Sequence, residues 1–138
     1  MNKVIYPEYK VGTVFTTTYN DIETNFSKKG LFVIYYDEAT DPDTGFRNHN
    51  VLAFKLTTNP KAVTGHAFPL LANQHSFLTK DCYIMSTKTY LFHKKFVERV
   101  LGTLNTKTLT DFFYNSFVTS QMSIASQLIN TIKIGGNK

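Results

Sequence analysis

Cysteine is almost missing from this chain: Cys82 is the only one in 138 residues. An intrachain disulfide is therefore impossible, and a cysteine-rich zinc site is excluded with it. A reducing, intracellular and cytoplasmic setting is the simplest expectation. Tryptophan is absent and there are only 4 prolines. No run approaches the roughly 18 apolar residues that a membrane helix needs, so no membrane association is expected. The opening stretch, MNKVIYPEYK, lacks an apolar signal core, and nothing in it suggests export. Acidic residues are scarce in the second half. Residues 1–59 hold six Lys/Arg against seven Asp/Glu, and residues 60–138 hold nine against three, so −1 and +6 sum to the net +5.

What the chain does have is aromatic side chains, 12 Phe and 8 Tyr within 42% hydrophobic residues. Such a composition folds rather than staying disordered. The length fits a single domain, residues 1–138, with a real core. A basic half interleaved with aromatics suits a polyanionic partner. It equally suits a domain kept soluble by scattered lysines.

Local patterns point to short strands followed by helix. Val11 to Tyr19 is rich in β-branched and aromatic residues. Leu31–Tyr36 is a short continuous apolar run, as in a central strand buried on both faces. Asp37 to Asn50 is dense in Asp, Pro, Gly and Asn and reads as a loop; it lacks the closing Glu of an EF-hand, and no metal site is expected. Val51–Leu56 and Phe68–Leu71 are further strand candidates. Tyr83 to Leu91 alternates, with Tyr83, Met85, Thr87 and Thr89 on one face and Ile84, Ser86, Lys88 and Tyr90 on the other. His93-Lys94-Lys95 reads as a basic turn, and Gly102 marks a return into helix. From Thr108 the period changes. Thr108 and Asp111 fit a capping box, and Leu109, Phe112, Phe113 and Phe117 form one apolar face. Met122, Ala125, Ile129 and Ile132 continue that spacing to Gly135-Gly136. A helical segment over about 106–134 is expected, as one helix or as two broken near Ser120. The fold class implied is mostly β with a C-terminal helix, a small twisted antiparallel barrel over about 9–104. Core packing is the expected use of the phenylalanine face, with a dimer contact as the alternative.

The order of these features resembles the MazF/PemK toxins. Val11-Gly12-Thr13-Val14 is similar to the family's opening strand, and Lys28-Lys29-Gly30 stands where the family has Arg-Pro before an apolar strand. Val51 to Thr58 is similar to the strand that ends in Thr-Ser. Leu78 to Cys82 resembles the turn before the next strand. The resemblance implies an SH3-like barrel, usually a homodimer, that cleaves single-stranded RNA without metal or cofactor through attack by the 2′-hydroxyl. Its partner would be single-stranded RNA, or an acidic protein such as an antitoxin or host factor.

That reaction needs a base, an acid and a cation or donors on the phosphorane. Carried over position by position, the resemblance makes Lys29, Thr57 and Thr58 the catalytic candidates. The family's arginine is replaced by lysine, a point charge without the guanidinium fork. Lys28, Lys88, Lys94, Lys95 and Arg99 form the expected basic surface for RNA or a partner, with Tyr83, Tyr90 and Phe92 nearby. Arg47 is a further cation that a site here could recruit. His49, His66, His75 and His93 are candidate acids or bases; the plainer reading of each is a solvated loop residue. Cys82 reads as a small core filler. The alternative to an enzyme is a binding module on the same barrel that has lost catalysis.

Overall fold

The computed structural model describes residues 6–20, 27–37, 49–59, 67–115 and 131–134, with backbone alone at 20, 86–88 and 131–134. Everything stated below concerns these residues. Seven strands form one sheet: β1 (Thr13–Asn20), β2 (Ser27–Asp37), β3 (Asn50–Thr57), β4 (Ala67–Leu70), β5 (Cys82–His93), β6 (Arg99–Thr103) and β7 (Thr131–Ile134). The order across it is β4-β5-β3-β2-β1-β6, antiparallel throughout, and β7 joins β5 in parallel. One helix, α1 (Thr106–Phe113), follows β6. Over the described residues the protein is mostly β with one helix, and its sheet curls into a half-barrel.

The curl has local causes. Register shifts interrupt β1–β6 at Val14/Phe15, β2–β3 at Ile34/Tyr36 and β3–β5 at Ala53/Lys55. Each such irregularity bends its strand and increases the local twist. In β5 the interruption is large, since Lys55 pairs with Met85 while Ala53 pairs with Tyr90. The strand turns over between those points. Ile84 therefore joins one core and Tyr90 packs against the other, although simple alternation places both on one face.

Both faces of the sheet are apolar. In β2, Phe32 and Ile34 enter one cluster while Val33 between them enters the other, as period-two alternation requires. The middle of Leu31–Tyr36 is thus buried on both sides, and Tyr36 at its end is exposed. The first cluster collects Val14, Val33, Phe54, Leu56, Ile84 and Phe112. The second is aromatic: Phe32 touches Phe15, Tyr19, Tyr90 and Phe92 with ring centroids 4.7–5.9 Å apart, mostly edge to face, the favoured geometry.

The helix covers the first cluster. Phe112 is 2% exposed and packs on Phe54 at 5.5 Å and Phe68 at 5.6 Å, and Leu109 and Phe113 pack beside it. That is the core role expected for this face. The expected capping box is replaced by a different cap. Asn105 accepts the Thr108 N–H at 2.8 Å, which places Thr108 inside the helix, while Asp111 pairs with Lys107 at 3.0 Å. The helical segment expected over about 106–134, as one helix or as two, is corrected at its end, because Thr131–Ile134 is a strand beside β5. There Ile132 pairs with Tyr90, so tertiary pairing overrides helical spacing. Phe117, Met122, Ala125 and Ile129 lie outside the described residues. Gly12 seats the helix against the start of β1. Its φ is +95°, and a Cβ there would lie 2.9 Å from the Leu109 side chain, so only glycine fits.

Candidate functional site

Antiparallel pairing brings the start of β2 beside the end of β3. Lys28 pairs with Tyr19 and Lys29 with Thr18, and the β2–β3 ladder ends at Leu31 and Leu56. Lys28, Lys29, Thr57 and Thr58 therefore share one end of the sheet. Lys28, Lys29 and Thr58 are exposed and Thr57 is half-buried, with its hydroxyl accepting the Asn59 N–H at 3.2 Å. Alternation puts Lys28 on the face of Phe32 and Lys29 on the face of Val33. Lys55, on the Phe32 side, holds its ammonium 5.7 Å from the Tyr19 ring centroid. This end offers positive charge and hydroxyls. Of the carboxylates, Glu98 accepts the Thr18 N–H at 3.1 Å and Asp81 accepts the Ala72 N–H at 2.7 Å.

The other basic residues are elsewhere. The stretch from Lys29 to Asp37 spans about 25 Å at roughly 3.3 Å per residue, and His93-Lys94-Lys95 lies at the Asp37 end. Lys94 does not belong to a surface patch, which corrects the expectation for it. Its side chain is 1% exposed and its ammonium sits 2.7 Å from Asp37 Oδ1. That oxygen receives no directed hydrogen bond, so the contact is one of charge. The ammonium donates instead to the Pro7 carbonyl at 3.1 Å and lies 5.7 Å from the Tyr9 ring centroid. Asp37 Oδ2 accepts the Tyr9 N–H at 2.5 Å. A buried lysine persists only when so matched. Lys95 is exposed, its ammonium 5.4 Å from the Phe96 ring centroid. Arg99 is exposed on β6 opposite Thr16. Of Lys88 only the backbone is described, and Arg47 and His66 lie outside the described residues.

At this second end two histidines meet. The rings of His49 and His93 are 5.6 Å apart, and Tyr6 packs edge-on against both, at 5.0 and 5.2 Å. The backbone holds them there. His49 precedes β3, its carbonyl accepts the Lys94 N–H at 2.6 Å, and Asn50 pairs with His93. His93 Nδ1 accepts the Lys95 N–H at 3.1 Å, which leaves the proton of the neutral ring on Nε2. Burial, then the Lys95 ammonium and His49, hold the His93 pKa below its ordinary value. Both histidines are partly exposed.

The remaining candidates are structural. His75 is buried, with Nδ1 3.0 Å from the Leu71 carbonyl and Nε2 3.4 Å from Thr108 Oγ1. Cys82 is 1% exposed, and burial, with the Asp81 charge, pushes its thiol up to about 11; a nucleophilic cysteine needs the opposite shift. Among the described residues no three His, Cys, Asp or Glu side chains come together as a metal site, and no helix is long and apolar enough to cross a membrane.

Neither the ion pair nor the strap of Tyr6 to Tyr9 that it anchors is marked by a motif in the sequence. The only local signal was an acid, Asp37, directly after an apolar strand. No family model matches the chain, and no curated protein matches it.

Proposed function

We propose that the chain is a MazF/PemK-like endoribonuclease that cleaves single-stranded RNA without metal, holding the strand with Lys28, Lys29, Thr57 and Thr58. One observation carries this reading. Four residues from two separate segments, at the positions to which the motif resemblance assigns phosphate chemistry, share one end of β2 and β3. Ammonium groups follow phosphate as point charges, and adjacent hydroxyls donate to its oxygens. The basic second half, with Lys95 and Arg99 exposed, attracts a polyanion over a longer range.

A second reading is a binding module that grips RNA or an acidic protein without cutting. It is favoured by what the described residues show at this end: Glu98 and Asp81 each accept a backbone N–H, and no imidazole is described there. Lys29 and Thr58 then act as grip.

The deciding experiment incubates the full chain with a long single-stranded RNA in EDTA and maps the fragment ends, with binding followed by fluorescence anisotropy. Fragments ending in cyclic phosphate are expected. Lys29→Ala should weaken binding and reduce its salt slope by about one, and Lys29→Arg should retain it. Binding without any cleavage would leave the binding module as the function.

A further inference from the structure

The strap Tyr6–Tyr9 lies against the adjoining ends of β2, β3 and β5. Tyr6 packs edge-on to His49 and His93. The Pro7 carbonyl accepts the Lys94 ammonium at 3.1 Å. Tyr9 donates its N–H to Asp37 and lays its ring on the aromatic cluster. Between these points Pro7 and Glu8 are exposed. Among the described residues the strap pairs with no strand, so it can lift without breaking the sheet.

Several of those attachments depend on one imidazole. His93 Nδ1 caps the short 3-10 turn Lys94–Phe96 by accepting the Lys95 N–H at 3.1 Å. That turn carries the Lys94 ammonium to Pro7 and Asp37. Only the neutral ring can accept there. A protonated imidazole is a donor at both nitrogens, and its Nδ1–H would meet the Lys95 N–H donor to donor. Taking up a proton therefore removes the cap and turns the ring on which Tyr6 packs. The groups around the ring oppose the new charge. On the turn stand the cations of Lys94 and Lys95, and before β3 His49 lies ring to ring at 5.6 Å. On β2, Asp37 already faces the Lys94 ammonium and the Tyr9 N–H. On the strap are the Tyr6 and Tyr9 phenols and the exposed Glu8.

We propose that the strap is an acid-released latch: protonation of His93 uncaps the Lys94–Phe96 turn, detaches Tyr6–Tyr9 from the sheet end and uncovers the aromatic cluster beneath Tyr9. With the strap lifted, the ring turns to water and leaves both its burial and the Lys95 N–H. The open state then binds the proton more readily than the closed one, in which burial, Lys95 and His49 hold the His93 pKa down. By linkage the open fraction rises as pH falls below the ordinary value of 6.5, by up to about tenfold per pH unit for one proton, and levels off below the lowered closed-state value. The latch does not depend on the ribonuclease reading, and the Lys29 end of the sheet keeps its form.

The test is amide hydrogen exchange on the full chain, followed by NMR from pH 7 to pH 5 and expressed as protection relative to an unstructured peptide at the same pH. Protection of the Tyr9 amide, which donates to Asp37, should fall below pH 6.5 by up to about tenfold per pH unit. That of Phe32, inside β2, should hold. His93→Asn keeps a cap acceptor without a titrating ring, and Tyr9 should stay protected across the range. His93→Lys places a cation that cannot accept the Lys95 N–H, and Tyr9 should be poorly protected already at pH 7. If wild-type Tyr9 protection is constant from pH 7 to pH 5, or falls alike in the wild type and His93→Asn, the latch is overturned; the second result would assign the change to Asp37. Loss of protection at Tyr9 and Phe32 together would also overturn it, because the acid event would then be global unfolding.

Discussion

Two lysines make the contrast between the ends of this sheet plain. Lys29 projects from the start of β2 into solvent. Lys94, near the other end of the same strand, is sealed beneath the Tyr6–Tyr9 strap against Asp37. The first is available to a phosphate and contributes little to the fold. The second holds the fold and is available to nothing. Charge counted along a sequence does not separate these cases; the partner does. A run such as His93-Lys94-Lys95 therefore contains three roles in succession: a fixed ring, a buried ion pair and an exposed cation.

The contrast can be broken by mutation. Lys94→Ala leaves the Asp37 carboxylate buried without its counter-charge and should destabilise the fold by about 3–5 kcal/mol. Lys29→Ala, at an exposed position, should stay within about 0.5 kcal/mol. Urea unfolding of the two variants side by side checks this; similar losses would erase the distinction. Phe112→Ala, in the cluster under the helix, should cost about 3–5 kcal/mol. Unchanged unfolding with a lower oligomeric state would make that ring an interface instead.

Smaller effects sharpen the picture. Asn105→Ala removes the helix cap and should cost about 1 kcal/mol, seen as a lower thermal midpoint. The histidine corner should add acid sensitivity. Burial, Lys95 and His49 oppose charging of His93 in the folded state, so below its ordinary value of 6.5 the unfolded chain takes the proton first. The stability that neutral His93 gives is present above that pH and is lost as pH falls through its lowered folded value. Unfolding midpoints measured from pH 7 to 5 should fall further for the wild type than for His93→Gln.

Much of the fold was legible because it rests on local composition. β-branched and aromatic runs marked β1, β2, β3 and β5 to within a few residues, and the helical face of Leu109 and Phe112 was visible as spacing. What was not legible depends on pairing. Ile132 has helical spacing yet lies in β7, because β5 offers a free edge beside Tyr90. The face switch within β5 comes from a register jump set by β3. Of the site, Lys29 and Thr58 were found through motif order. The approach of His49 to His93, and the burial of Lys94 by Asp37, arise only when distant strand ends meet.

The most direct test of this two-ended account is chemical-shift mapping by NMR on addition of an all-deoxy single-stranded oligonucleotide. Shifts are expected at the Lys29 end, at Lys28, Lys29, Thr57 and Thr58, with Lys94 and the helix face around Phe112 unmoved. Shifts confined to the helix, or none at the Lys29 end, would contradict it.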